Sequence, residues 1–392
     1  MPLSGIRVVD LTRIIAGPFC TMLLADLNAE VIKIETPGDG DPLRQQGEGR
    51  DGLSWYYAGY NRNKRSITLN LRTPEGKDVL ARLIAGADVL VENYRPGVLT
   101  DMGFPPERLE ALNPRLVTCS VSGFGATGPY AQRPSFDFIA QAMSGFMSVN
   151  GRDGEEPIRS GIPISDLIAG LYGALGTVAA LQARERTGRG QQVGIALLDG
   201  MVSLLSFMAS NYLATGRLPT RTGNDHPLVA PYGLYATADD PIAIAPSNEA
   251  ILTRLLKALG LERLRDDPRF ATNELRMRNR DALRAEVEAV TRTGSQAHWI
   301  DALNAAGVPS GPILGLEQVF SDPQVRHAGM VVDVPHPGRG DVTMLGFPLK
   351  LSETPCRMVR PAPELGQDTT EVLASIGFSA GEIDDFRARQ VI

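Results

Sequence analysis

Apolar residues fall in short blocks along the first 122 positions, separated by polar, glycine-containing turns. Residues 6–11, 29–35, 66–71, 88–92 and 116–121 each read as a short, fully buried strand. The intervening stretches carry helical signals. Residues 18–27 begin at Pro18, a residue suited to a first helical position. Thr73-Pro74-Glu75 supplies an N-cap, a proline start and an acidic first turn for a helix running to about residue 85. Residues 106–112 form another such segment. This alternation predicts an α/β fold with a parallel, doubly wound sheet and helices on both faces.

The pattern continues with helices over 136–149 and 166–184, a strand over 191–198 and a helix over 200–215. It then changes. Short strands surround Pro227, Pro231 and Pro241, and charged amphipathic helices follow over 248–260, 274–292 and 295–306. The expected organisation is a large domain over 1–224, a small domain over 225–325, and a C-terminal part over 326–392 that returns to the large domain. That return runs through Arg360-Pro361-Ala362-Pro363 and a helical tail from Thr369.

Composition narrows the classes. A chain of 392 residues suggests two or three domains, and 43% hydrophobic against 21% charged residues is ordinary for a protein with a packed core. A net charge of −6 with dispersed basic residues argues against a nucleic-acid partner. Cys20, Cys119 and Cys356 are too far apart to suggest a disulfide framework or a zinc site, so a reducing cytoplasm is expected. No uninterrupted apolar run reaches the length of a bilayer span, and the first residues lack a charged leader, so no membrane segment is expected. The four histidines, His226, His298, His327 and His336, form no metal-ligand spacing, and G-x-S-x-G does not occur. No metal site is expected.

The candidate chemistry centres on Asp166. It opens a small-residue helix in Ser160-Gly161-Ile162-Pro163-Ile164-Ser165-Asp166, followed by Gly170, Gly173 and Gly176. An acidic residue there is ordinarily a cap. Capping leaves the glycines unexplained, since each costs about 0.5–1 kcal/mol inside a helix relative to alanine. They point to close approach by another element or by a ligand. Asp199 also follows a strand and opens a helix, with fewer glycines nearby, and ranks below Asp166. In a doubly wound sheet ligands bind at the carboxyl ends of the strands. Three segments lie there: the turn Thr12 to Pro18 with Arg13, the loop Asn61-Arg62-Asn63-Lys64-Arg65, and Asn93-Tyr94-Arg95-Pro96-Gly97. Each carries cations or amides that suit a polyphosphate ligand. Arg159, seven residues before Asp166, offers a charge for a substrate carboxylate or a structural ion pair. His226-Pro227 reads as a turn. Gly123-Phe124-Gly125-Ala126-Thr127-Gly128 fits G-x-G-x-x-G, but Pro129 and Pro134 interrupt the helix such a dinucleotide loop must open, so no nicotinamide is expected.

Together these segments resemble the class III CoA-transferases of the CaiB/BaiF type. The resemblance rests on Leu11-Thr12-Arg13 through Ala16-Gly17-Pro18, Val31-Ile32-Lys33-Ile34-Glu35, Asn61 to Ser66, Val91 to Gly97, Gly123 to Pro129, Ser165-Asp166, Thr187-Gly188-Arg189-Gly190-Gln191, Gly307-Val308-Pro309 and Leu365-Gly366-Gln367. It implies a Rossmann-like large domain, a smaller middle domain and an interlocked homodimer. It makes Asp166 the nucleophile that carries CoA as an aspartyl thioester. It places CoA near Ile15 and Ala16, near Arg62, Asn63 and Lys64, and near Asn93, Tyr94 and Arg95. It implies acyl-CoA and organic acids as substrates. Racemases of the same fold pair the aspartate with a histidine ahead of the position of Phe136. This chain has no histidine before residue 226, which favours transfer. A CoA-binding protein without chemistry is the remaining alternative. The formate- and oxalate-using branch is less similar in its motifs, while Gly223 to Pro227 and Ala230-Pro231-Tyr232 look like the branch using succinyl-CoA and dicarboxylic acids. A dicarboxylic acid such as succinate is therefore expected, with Arg13, Arg44 or Arg159 at its distal carboxylate.

Overall fold

The computed structural model describes residues 1–392, the side chain of Arg50 excepted. Six strands form one sheet: β1 (Arg7–Asp10), β2 (Glu30–Glu35), β3 (Lys64–Thr68), β4 (Val89–Glu92), β5 (Val117–Ser122) and β6 (Gln192–Ala196). Their order is β3-β2-β1-β4-β5-β6, and every neighbouring pair is parallel. The strand order reverses between β1 and β4, which opens a crevice at their carboxyl ends.

Alternation along the strands feeds two cores. Val8, Val31, Val89, Val117 and Cys119 pack on one face beneath α1 (Ala16–Asp26) and the long helix Ile164–Thr187. Val9, Ile32, Ile67 and Leu90 pack on the other beneath α2 (Pro74–Ala85), α3 (Pro106–Leu112) and the C-terminal helices Thr369–Ser375 and Ala380–Ala388. The sheet is thus mixed α/β and covered on both faces. The tail closes on the segment that follows β3, with the Asn70 amide donating to the Val391 carbonyl at 2.7 Å. The Thr73 hydroxyl accepts from the Gly76 amide at 3.1 Å, so the cap predicted for α2 forms.

The chain divides into two compact units: residues 1–146, 159–206 and 323–392 form one, and residues 147–158 and 207–322 form the other. The second unit is built on the antiparallel strands Gly233–Tyr235, Ile242–Ile244 and Ser310–Pro312. Helices Glu249–Ala258, Arg280–Thr291 and Gln296–Ala305 bury Leu255, Leu283, Val287 and Leu303 against them. The helix expected over 274–292 breaks at Asn279, whose amide donates to the Leu275 and Arg269 carbonyls and competes with the helical ladder.

Two differences from the expected elements bear on function. β3 begins at Lys64 rather than at residue 66, because Lys64 and Arg65 pair in register with Val31 and Ile32. The helix expected over 136–149 splits into α4 (Asp137–Met143) and a short turn Phe146–Val149, with Gly145 in the left-handed region between them. The long helix, α5 (Ile164–Thr187), explains its own glycines. A Cβ on Gly170 would stand 2.6 Å from the Ala16 carbonyl oxygen, one on Gly173 3.1 Å from the Cys20 sulfur, and one on Gly176 2.7 Å from Val193. The absent side chains let α5 lie directly on α1 and β6. By length and composition α5 could also span a bilayer, although none was expected; one of its faces is packed in the core.

Gly170→Ala is expected to lower stability by about 1–3 kcal/mol through overpacking against α1. Gly161→Ala, which meets nothing within 4 Å, should stay close to wild type. Urea unfolding of both variants checks this, and equal midpoints would contradict the packing role.

Candidate active site

The crevice between β1 and β4 is bounded by two loops that hold each other. The Asn93 side chain accepts from the Arg13 amide at 2.9 Å and donates to the Arg13 carbonyl at 2.8 Å. Next to Arg13, Ile14 stands at φ 70, a conformation that a β-branched residue rarely adopts. Its amide donates to Asp41 Oδ1 at 3.2 Å.

A fully buried charge network underlies this turn. Lys33 Nζ donates to Asp41 Oδ2 at 2.9 Å and to the Thr12 carbonyl at 2.8 Å. Lys64 Nζ reaches Asp10 Oδ2 at 3.1 Å, the Pro18 carbonyl at 2.9 Å and Asn61 Oδ1 at 2.9 Å. Asp10 also accepts from the Thr12 amide and from the Thr12 and Thr21 hydroxyls. Burial would raise the Asp10 carboxyl, but Lys64 and Lys33 hold it below its usual range. Burial pulls Lys64 down to about 8, against the attraction of Asp10.

Asp166 has a different setting. It is the third residue of α5, whose cap residue is Pro163, so Asp166 does not cap its helix. Its carboxylate has no hydrogen-bond or ion-pair partner among the described residues. Burial and then the nearby charge of Asp137 push it up to about 7. Asp137 is held in place: the Ser165 amide donates to it at 3.0 Å, the Ser165 hydroxyl at 2.9 Å and the Gln141 amide at 2.8 Å. Asp166 lines a cavity of about 460 Å³ together with Arg13, Ile15, Ala16, Asn93, Tyr94, Arg95, Gly123 and Phe136. Ile15, at the start of α1, offers no side-chain cap, so the first amides of α1 lie at this cavity without an acceptor from its own cap.

A second cavity of about 330 Å³ shares Arg13, Tyr94 and Val98 with the first and extends to Gly40, Asn70 and Arg72. The two form a cleft across the carboxyl ends of β3, β2, β1, β4 and β5.

Several expected site residues lie elsewhere. Arg62 pairs with Asp26 at 2.7 Å and its guanidinium lies over the Phe347 ring. Asn63 donates to Asp26 and to the Arg357 carbonyl, and accepts from the Val359 amide. Lys64 is committed to the buried network. None of the three lines either cavity. Arg44 grips Glu35 through two bonds of 2.7 Å and lies 3.7 Å above the Tyr57 ring. Arg159 is exposed and Asp199 is exposed, and neither lines the cleft. Arg72 and Arg133, passed over in the sequence, do line it. The glycine loop after β5 runs through turns until α4 at Asp137, with Gly125 and Gly128 left-handed, and opens no helix. No cluster of three or more His, Cys, Asp or Glu side chains fit to hold a metal occurs among the described residues.

A family model for CoA-transferase family III matches residues 3–369. The chain belongs to that family. The succinate–glutarate CoA-transferase of Agrobacterium fabrum is 40% identical over 96% of both chains. The acetyl-CoA:oxalate CoA-transferase of Acetobacter aceti is 40% identical over 93% of both. The crystal structure of a CaiB/BaiF family protein from Brucella suis superimposes with a TM-score of 0.85 at 40% identity, covering 96% of this chain and 99% of that one. The protein is thus a CoA-transferase. Both of these relatives, one named for succinate and glutarate and one for oxalate, are 40% identical to this chain.

In this transferase Lys64→Met is expected to remove a buried cation and strand Asp10, costing about 3–5 kcal/mol of stability. Chemical denaturation checks it. A variant of wild-type stability with only weaker CoA affinity would contradict the structural role of Lys64.

Proposed function

We propose that this transferase moves CoA between organic acids through covalent intermediates on Asp166, and that a dicarboxylic acid is one partner. The observation that carries this is a half-buried carboxylate, left without any partner, in a cavity that Arg13, Arg95 and Arg133 also line and that adjoins a second cavity reaching Arg72. CoA is long and thin, with phosphates at one end and a thiol at the other. Arg72 and Arg13 suit the phosphates, and the Asp166 cavity suits the thioester. The Arg62–Lys64 loop acts beneath the cleft, through the fold.

The steps balance without a metal or ATP. An Asp166 oxygen attacks the thioester carbonyl carbon, the C–S bond breaks, and CoA thiolate leaves behind an anhydride. The thiolate attacks the aspartyl carbonyl and releases the first acid as its carboxylate, giving the aspartyl-CoA thioester. The acceptor carboxylate attacks this carbonyl, again expelling thiolate. The thiolate attacks the acceptor-derived carbonyl, and Asp166 is regenerated. Each attack builds negative charge on oxygen, which the uncapped amides at the start of α1 suit. Burial that raises Asp166 also makes its anion a better nucleophile. The racemase alternative needs a second acid–base group, and no histidine lines the cavity.

The lining of α4 and α5 supports a homodimer. Phe136, Phe138, Ile139 and Met143 are exposed on or beside α4, and Leu171 and Leu175 on α5. Such a patch is unusual for a monomer. All three cysteines are free, which suits a cytoplasmic location.

Incubation with an acyl-CoA, quenching and peptide mass analysis should find CoA on the Asp166 peptide, and Asp166→Ala should lose both adduct and turnover. Because the ionised form attacks, kcat/KM for the acyl-CoA should rise tenfold per pH unit up to about 7 and then level off. Turnover by a folded Asp166→Ala variant would overturn the assignment. Light scattering on the purified chain should give twice its 42.2 kDa mass. A monomer across micromolar concentrations would contradict the dimer.

A further inference from the structure

Three guanidinium groups line the Asp166 cavity, and none has a carboxylate partner among the described residues. They are not equivalent. Arg13 also lines the neighbouring cavity that ends at Arg72, and its guanidinium lies 5.3 Å from the centre of the Tyr94 ring. Arg95 also lines a third cavity of about 230 Å³ walled by Leu99, Phe104 and Leu109. Arg133 lines neither neighbour.

Arg133 is also held ready. Its amide donates to the Tyr130 carbonyl at 2.9 Å, and its guanidinium lies 3.7 Å above the Tyr130 ring. Tyr130 in turn packs edge-on against Phe124, ring centres 5.8 Å apart. The loop is pinned at its ends, since a Cβ on Gly123 would stand 2.3 Å from that of Ser135. Stacking orients a guanidinium while leaving its in-plane donors open to a carboxylate. Three residues on, Phe136 lines the same cavity, and Asp137 bears on Asp166.

We propose that Arg133 selects the acid, binding the non-reacting carboxylate of a dicarboxylic acid whose other carboxyl lies at Asp166. This rests on the transfer reading above. The reacting carboxyl loses its charge each time it becomes an acyl group. The distal one stays anionic through every step, and Arg133, exposed along the cavity wall, offers it a cation. No arginine contributes to the electrostatics of Asp166, so the charge of Arg133 is not spent on the nucleophile. A monocarboxylic acid of the same length would leave the guanidinium unmatched.

The test compares glutarate with valerate as acceptors from saturating succinyl-CoA, in wild type, Arg133→Gln, Arg133→Lys and Arg13→Gln. In Arg133→Gln the ratio of kcat/KM for glutarate over valerate should fall about 5- to 20-fold, the scale of one charge-assisted pair reduced by the exposure of Arg133. Arg133→Lys should restore part of it, and the Kd of free CoA should move little. Two results would overturn the proposal: both acids losing rate equally in Arg133→Gln, or the ratio collapsing in Arg13→Gln and not in Arg133→Gln. A wild type that prefers valerate would instead refute the dicarboxylate reading on which the proposal stands.

Discussion

Everything at the cleft depends on two lysines buried beneath it. Lys33 and Lys64 lie wholly inside the first unit, each paired with an aspartate, Asp41 and Asp10. They also donate to the Thr12 carbonyl, in the turn after β1, and to the Pro18 carbonyl, in the first turn of α1. The ammonium groups thus hold that turn by its backbone. Ion pairs at such depth do little for net stability, since desolvation offsets most of their attraction. What they supply is position. They keep Ile14 in a strained conformation and set the start of α1 beside Asp166.

The proposed chemistry rests on a contrast between charges. Asp10, Asp41, Asp26 and Glu35 each face a cation inside the fold. Asp166 faces none, and a like charge stands nearby. An ordinary structural carboxylate would be paired or exposed. This one is half-buried and unpaired, and the three arginines of its cavity are unpaired as well. The arginines are exposed and water satisfies them, so the unpaired carboxylate is the group that stands out. The glycines of α5 complete the arrangement by letting the helix carry Asp166 down onto α1.

Much of the fold was legible because strand and helix periods alternate cleanly over the first 122 residues. The cap at Thr73 was visible as local chemistry. Asp166 stands out in the sequence through its glycine-rich helix, and in the structure as the carboxylate that lines the larger cavity of the cleft. The basic run Arg62-Asn63-Lys64 misled, because a cluster of cations in sequence looks solvated or ligand-binding, and only tertiary packing shows Asp10 and Asp26 waiting inside. Arg44 misled in the same way. Arg133 was hidden because a lone arginine in a polar loop carries no local signal. Only the cavity it shares with Asp166 singles it out.

The most direct test follows oxygen rather than sulfur. In the proposed steps the acceptor attacks the aspartyl thioester through its own oxygen, and the closing attack by thiolate leaves that oxygen on the aspartate. A single turnover with glutarate labelled with oxygen-18 in both carboxyls, followed by digestion, should therefore place one heavy oxygen in the Asp166 peptide and in no other. Labelled product with an unlabelled Asp166 peptide would contradict the account.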